Sequence, residues 1–462
     1  MSRLIDPLLR PSSIALIGAS AKPGKIGNIV MRNLTAGGHR LYAVNPNEEE
    51  ILGRRCYGSI SEIPNSVDMA VIVLPSHKSV EATRDCALKG VGVVVVSSSG
   101  FAESGEDGRR LESALLEAVN GTDTRILGPN TMGVYVPSAS LDTLFISPER
   151  GPRPRAGGVA MISQSGAVAV SFLGMAEETG LGVSACVCVG NKCDINELEL
   201  IEHFGNDPET RCISMYLESF SDGRRFVELS REVSLKKPMV ILKSGRTQAG
   251  ARAANSHTGA VAASSDLAVK GALRQAGVAR ASEEVSLIDM SKAFSLADHI
   301  RGGRICVVAS AGGFGVIATD LIESENSAPS LRMARLSKET KSALEEILPS
   351  FTSVQNPVDL TAEVSDQMYD EVLGALQTDP GVDAIMMSLE LQPPNVTRQL
   401  VKIAAERSSG QIPIIASVFA RDATSVLREA TVTGLVAVPT LDRCVRLLNA
   451  LAERGLRLRR EN

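Results

Sequence analysis

Short runs of β-branched and apolar residues alternate along this chain with amphipathic stretches and with turns rich in glycine and serine. SIALIGAS (13–20) reads as a buried strand running into a glycine turn, and KIGNIVMRNLTAGG (25–38) as a helix closed by glycines. LYAVNP (41–46), MAVIVLP (69–75), GVVVVSSSG (92–100) and TRILGPNTMG (124–133) read as four further strands with their turns. Apolar runs of four to eight residues bounded by turn signals are what a strand buried on both faces requires.

The alternation restarts twice. GVAMISQSGAVAVSFLGMAEETG (158–180) is strand, turn and helix, followed by strands in GVSACVCVGNKCD (182–194), RCISMYLES (211–219) and KPMVILKSG (237–245) and by a helix over 266–276. RICVVASAGGFGVIATDLIES (304–324) begins the pattern again, with strands in VDAIMMSLEL (382–391) and IPIIASVFA (412–420). Strands alternating with crossover helices form parallel sheets. The segment SPERGPRPRAGG (147–158), rich in Pro, Gly and Arg, reads as a linker. The expected architecture is α/β, three doubly wound Rossmann- or flavodoxin-like domains at 1–146, 158–298 and 302–462.

Composition narrows the function. The chain has 462 residues, 44% hydrophobic and 22% charged, with 48 basic against 53 acidic residues and a net charge of −5. No basic block and only 3% aromatic residues leave little for a nucleic acid to bind. The N-terminal stretch MSRLIDPLLRPSSIALIG lacks a signal-peptide core, and no apolar run is long enough to span a membrane, so a cytoplasmic location is expected. The eight cysteines form no CxxC pair and the five histidines no metal-binding pair, so no metal site is expected on this chain.

Two turns and one loop carry candidate chemistry. GASAKPGKIG (18–27) feeds a helix start, where unpaired N–H groups and the helix dipole attract anions. It is not a P-loop: five residues separate Gly18 from Gly24, and Ile26 follows Lys25. Nor is it a plain NAD fingerprint, since Ser20 replaces the second glycine and the second strand ends on uncharged Asn45. It is either a nucleotide-like ligand site or a turn needed only for packing. SQSGA (163–167) is either a serine N-cap or a second anion-binding helix start. AANSHTGAVAASS (253–265) places His257 among small residues, which suits either a solvated loop or a nucleophile with room for a phosphoryl group.

Together these segments resemble the NDP-forming acyl-CoA synthetases of the succinyl-CoA synthetase superfamily, and within it the α subunit of the ADP-forming acetyl-CoA type. The resemblance rests on GASAKPGKIG, AVNPNEEEILG, CYGSISEIPNSVDMAVIVLP, GFAESG, RILGPNTMGV, MISQSGA, VGNKCDINELELIEHFGNDPETRCISMYLES, KPMVILKSGRTQAGARAANSHTGA, RQAGV and NPVDL. It covers nearly the whole chain. It implies a CoA-binding domain, then a phosphohistidine-bearing domain, then a third flavodoxin-like domain.

The resemblance also implies a reaction: acyl-CoA, ADP and phosphate interconvert with carboxylic acid, ATP and CoA through an acyl phosphate and a phosphohistidine, with a small acid such as acetate as the default. His257 would be phosphorylated and Glu218 would hold its other ring nitrogen. Ser165, Gly166 and Ala167 would bind the phosphoryl group. CoA would lie over Gly18, Ala19, Ser20, Lys25, Ile26, Asn45, Pro46, Val73, Pro75, Ser98, Ser99 and Gly100, with Asn130 toward the thiol. Lys25 would meet a CoA phosphate as a point charge.

This chain departs from the family at two places. Thr131-Met132 stands where Cys-Leu is common after GPN, and Ser98-Ser99-Gly100 where Ser-Ala-Gly is common. After the third block only LRLRREN remains, so no room is expected for an ATP-grasp domain. The nucleotide and Mg²⁺ would then sit on a separate ATP-grasp β subunit, in an α2β2 assembly. Two readings compete: a catalytically silent CoA- or acyl-CoA-binding regulatory module, and a nicotinamide oxidoreductase, the latter disfavoured by Asn45.

Overall fold

The computed structural model describes residues 5–250, 252, 265–324 and 330–461. Three largely parallel sheets are present, and the chain divides into two compact units: Met1–Glu177 with Gly182–Glu284, and Glu178–Leu181 with Val285–Asn462. Among the described residues no helix is long and apolar enough to cross a membrane.

The first sheet is built around Ser13–Ile17, with Arg40–Val44 on one side and Met69–Ile72, Val93–Val96 and Arg125–Leu127 on the other. Ser13–Ile17, Met69–Ile72 and Val93–Val96 are buried at every position, which is why they read as continuous apolar runs. The periodicity missed one feature here: a short hairpin, Glu50–Ile51 with Arg54–Tyr57, extends the sheet beyond Arg40–Val44. The order reverses at Ser13–Ile17, so the crevice at the carboxyl ends of Ser13–Ile17 and Met69–Ile72 is the switch point where such sheets bind ligands.

Gly18 and Gly27 make the first turn possible. Gly18 has φ +91°, a left-handed value that glycine adopts without strain. A Cβ on Gly27 would lie 2.0 Å from the Gly18 carbonyl oxygen, so only glycine lets helix Ile26–Thr35 start so close to the strand.

The second sheet runs Ala279–Arg280, Met239–Lys243, Cys212–Leu217, Ala156–Ser163, Val183–Cys188, Val134–Val136, Leu141–Asp142. Its last two strands are antiparallel and come from the block expected to end at 146. The boundary read from the Pro/Gly/Arg-rich segment at 147–158 is therefore not the boundary between sheets. The two sheets also share one apolar cluster, joining Ile14 and Leu16 to Val134, Ile162 and Val187, within a single compact unit. Here the switch point lies between Ala156–Ser163 and Cys212–Leu217.

The third sheet centres on Arg304–Ala309, flanked by Arg332–Met333 and Val358–Asp359 and, on the other side, by Ala384–Glu390, Ile414–Phe419 and Val436–Val438. Helix Glu284–Ala297 leads into this unit, which begins at Val285 rather than at 302. The two-residue strands Arg332–Met333 and Val358–Asp359 are too short to carry a period-2 signal.

Candidate active site

On the first sheet, the register sets Ile17 beside both Val44 and Ile72, and Ile72 beside Val96. The residues after these strands, at Gly18, Asn45, Val73 and Ser97, therefore line one edge. Gly18 N–H donates to Val44 O at 3.0 Å, Val73 N–H to Ile17 O at 3.0 Å and Ser97 N–H to Ile72 O at 3.1 Å. Residues 21–26, Pro46, Pro75 and Ser99 are exposed along this edge. Lys25 is the N-cap of helix Ile26–Thr35 and is exposed, as a phosphate-meeting cation would be.

Some of the residues expected to contact CoA have side chains committed elsewhere. The Asn45 amide donates to Ala19 O at 2.8 Å, and its oxygen accepts from Asn47 N–H at 3.0 Å. Asn45 thus ties the second strand to the first turn. The Ser98 hydroxyl donates to Leu74 O and lies 2.9 Å from Ser79 Oγ. Val73 is partly buried against the core. For these three, backbone atoms rather than polar side chains are what the edge presents. Ser20 Oγ accepts from Lys22 N–H at 3.1 Å and shapes the turn locally.

The end of the edge nearest the second sheet carries a polar network. Asn130, at φ +57° and exposed, donates its N–H to Ser98 O at 2.8 Å. Its amide reaches Asn191 Oδ1 at 3.4 Å. Asn191 donates to Glu103 Oε2 at 2.6 Å and to Glu112 Oε2 at 2.8 Å. Glu103 Oε1 accepts from Gly100 N–H at 2.6 Å and from Phe101 N–H at 3.1 Å. Burial works against the Glu103 charge, but the Asn191 amide and these N–H groups outweigh it and hold the carboxyl below its usual range. Thr131 is buried, its hydroxyl donating to Cys188 O and accepting from Gly133 N–H at 3.0 Å. Of the two departures after GPN, Thr131 is thus a structural linchpin, while Met132 packs at the start of the next sheet's helix: a Cβ on Gly166 would lie 3.3 Å from Met132 Cβ.

At the second switch point, strand Ala156–Ser163 ends in the turn Gln164-Ser165 and opens helix Gly166–Thr179. Ser165 Oγ lies 3.5 Å from Val168 N, a long contact in the position of an N-cap. The first N–H groups of the helix, at Gly166 and Ala167, have no partner inside it. Ala167 is exposed and Gly166 half-buried, which leaves an anion-binding end open.

Across the switch point, Glu218 follows strand Cys212–Leu217 and is 4% exposed. Its Oε1 lies 3.3 Å from the Tyr216 hydroxyl, and its Oε2 has no hydrogen-bond partner among the described residues. A buried carboxylate oxygen without a partner is costly unless another group supplies a donor. Two buried lysines stand close by. Lys243 Nζ donates to Glu218 O at 2.7 Å and Lys192 Nζ to Ser219 O at 2.8 Å. Burial draws both ammonium groups below the ordinary lysine range; at Lys192 the charges of Glu197 and Glu218 oppose this. Lys192 also pairs with Glu197 at 2.9 Å, both side chains almost fully buried.

His257 lies outside the described residues, so its distance to Glu218 is not part of this geometry. The reading of the sequence missed Gln164, Lys192, Lys243, Asn191 and Glu103. All five stand inside segments already singled out (MISQSGA, VGNKCDIN, KPMVILKSG, GFAESG), but partners far apart in sequence give no periodic signal. Among the described residues no group of three or more His, Cys, Asp or Glu is placed to hold a metal ion.

Comparison with known proteins bears on this arrangement. Residues 12–137 match the family described as CoA binding domain, and residues 156–294 that described as succinyl-CoA ligase like flavodoxin domain. Over 460 residues the chain is 37% identical to the Pyrococcus furiosus protein named acetate–CoA ligase [ADP-forming] I subunit alpha, covering 97% of each. It is 36% identical to acetate–CoA ligase [ADP-forming] II subunit alpha of the same organism, covering 83% of this chain and 82% of that one. The structure titled dinucleotide forming acetyl-coenzyme A synthetase 1 of Ca. Korarchaeum cryptofilum, in complex with phosphate and ADP, superposes with a TM-score of 0.89 at 32% identity. It covers 99% of this chain and 97% of that one. With a CoA-binding domain followed by a succinyl-CoA ligase-like domain and 37% identity over 97% of its length to the first of these α subunits, the chain belongs to the ADP-forming acyl-CoA synthetase family of the succinyl-CoA synthetase superfamily.

Proposed function

We propose that this chain is the α subunit of an ADP-forming acid–CoA ligase acting on acetate or a similarly small acid. The observation that carries the reading is the second switch point. A buried carboxylate whose Oε2 has no partner among the described residues, Glu218, faces a strand order reversal that also holds an open helix start at Ser165, Gly166 and Ala167.

The chemistry follows from those parts. A phosphate oxygen attacks the thioester carbonyl carbon, the carbon–sulfur bond breaks and CoA leaves as the thiol, giving an acyl phosphate. The neutral imidazole of His257 then attacks phosphorus; the bond from phosphorus to the acyl oxygen breaks and the carboxylic acid leaves as its anion. Glu218 accepts the N–H of the other ring nitrogen and stabilises the charge that develops on the ring. The N–H groups at Gly166 and Ala167 hold the phosphoryl oxygens as fixed dipoles. A terminal oxygen of ADP finally takes the phosphoryl group, the phosphorus–nitrogen bond breaks, and ATP forms. CoA lies along the first edge, its phosphates toward Lys25 and its thiol end toward Asn130. The nucleotide and Mg²⁺ belong to an ATP-grasp β subunit, and α2β2 is the assembly that suits it.

The test is mass spectrometry of the chain after incubation with acetyl-CoA, phosphate and Mg²⁺, kept alkaline to preserve phosphohistidine. One phosphoryl group on the peptide containing His257 is expected. No label with any of a panel of acyl-CoAs, with the β subunit present, would overturn this reading in favour of a silent CoA-binding module.

A further inference from the structure

The Glu218–Ser219 segment is held at all four of its backbone polar groups by side chains. Gln164 Oε1 accepts both N–H groups, from Glu218 at 2.9 Å and from Ser219 at 3.2 Å. Lys243 Nζ and Lys192 Nζ donate to the two carbonyls, at 2.7 Å and 2.8 Å. Gln164 Nε2 adds a contact to Ser219 Oγ at 3.3 Å. An amide oxygen has two lone pairs, and this one uses both on a single turn. Gln164 itself is 7% exposed and immediately precedes Ser165, so the same residue belongs to the phosphoryl-binding turn. Its own N–H donates to Tyr216 O at 2.9 Å, two residues before Glu218.

Nothing in an ordinary strand end requires such a cage. Strand ends near a surface satisfy their backbone with water, and two buried ammonium groups are an expensive way to satisfy two carbonyls. What the cage achieves is to fix a carboxylate whose second oxygen stays unpartnered among the described residues. A carboxylate that is to orient a nucleophilic imidazole must itself be held rigid, because a misplaced partner forfeits the advantage of preorganisation.

We infer that Gln164 is a positioning residue: its amide oxygen, with Lys243 and Lys192, clamps the Glu218–Ser219 turn to the phosphoryl-binding turn and aims Glu218 Oε2, unpartnered among the described residues, at its catalytic partner. The inference rests on the proposed role of Glu218 toward His257. It assigns Gln164 no contact with substrate.

The experiment uses the chain assembled with its β subunit and follows single-turnover phosphorylation of His257 from acetyl-CoA and inorganic phosphate, as a function of pH. Gln164→Met keeps length and loses the acceptor; phosphorylation should slow at least tenfold while the half-saturating acetyl-CoA concentration changes less than twofold. Gln164→Glu keeps the acceptor and adds a negative charge beside Glu218. Its rate should return to within about threefold of wild type on the alkaline side. Its acid limb should move to higher pH, since the added charge raises the proton affinity of its neighbours.

Equal losses in both variants, accompanied by equal losses of thermal stability, would reduce Gln164 to a structural residue and overturn the inference. So would a normal rate in Gln164→Met alongside a slow Glu218→Gln. If Glu218→Gln itself labels at the wild-type rate, the reading of Glu218 fails and takes this inference with it. Should Gln164→Met not fold, the acid limb of Gln164→Glu decides alone: displaced upward it supports the clamp, unmoved it refutes it.

Discussion

The guanidinium of Arg125, at the start of the last strand of the first sheet, holds Asp194, in the loop that leaves the second sheet. Nη2 lies 2.7 Å from Oδ1, Nε 3.0 Å from each oxygen, and the same carboxylate accepts from Ile126 N–H at 2.8 Å. Glu199 joins the pair through Arg125 Nη1 at 2.9 Å. Both Arg125 and Asp194 are only 20% exposed, so solvent screening is limited. This clamp holds the loop containing Asn191 and Lys192, and with it the link between the carboxyl edge of the first sheet and Glu218.

Breaking the clamp should therefore cost stability and also loosen the site. Asp194→Ala removes charged hydrogen bonds and strands a partly buried guanidinium, for a loss of about 3 kcal/mol. Denaturant unfolding measures it. A loss under about 1 kcal/mol would class the pair with ordinary surface ion pairs.

Gly27→Ala should disable the first turn. The added methyl meets the Gly18 carbonyl at 2.0 Å, and backbone on both sides has to shift. A destabilisation of about 2 kcal/mol is expected from the overpacking, with weakened CoA binding in calorimetry. Unchanged CoA affinity would separate this turn from the CoA site.

His257→Asn should abolish phosphoryl labelling while CoA still binds, because the proposed nucleophile and the proposed CoA-binding edge are different parts of the chain. Glu218→Gln keeps the shape of the side chain and loses its charge; labelling should fall about 100-fold with the fold intact. Circular dichroism and labelling kinetics check the two halves of that statement. Full activity in His257→Asn would remove the mechanism altogether.

The unit from Val285 onward should gain stability in mild alkali. Lys292 is 2% exposed, and its ammonium donates to Ala437 O. Burial lowers its pKa to about 8 from 10.5, against the pull of nearby Asp289, which is itself paired with Arg443 at 2.7 Å. Between pH 8 and 10.5 the unfolded chain holds this proton and the native state does not, so stability rises with pH across that window. The rise amounts to about 3 kcal/mol. Lys292→Met should flatten it in guanidinium unfolding followed across that pH range; an identical slope in the variant would show that the lysine is not the source.

Much of this molecule is legible along the chain. The buried strands Ser13–Ile17, Met69–Ile72 and Val93–Val96 announce themselves because burial on both faces demands unbroken apolar runs. The helix at Asp266–Ala276 falls on the residues that its spacing predicts. Less legible were elements whose pairing is remote. Val134–Val136 and Leu141–Asp142 look like the tail of the first block and belong to the second sheet, since nothing local tells a strand which sheet it joins.

The sequence by itself determined the α/β class, the three strand–turn–helix starts and the motifs that carry the family. Each is written in local spacing, where burial, chain reversal and helix capping act on neighbouring residues. Only the tertiary structure decided which side chains serve the site and which serve the fold. It spent the Asn45 and Ser98 side chains on internal bonds, left one Glu218 oxygen without a partner among the described residues, and brought Gln164 against a turn more than fifty residues away. Those outcomes depend on strand order and register, which place carboxyl ends side by side across long stretches of chain, and a backbone donor's partner is settled only once that placement is made.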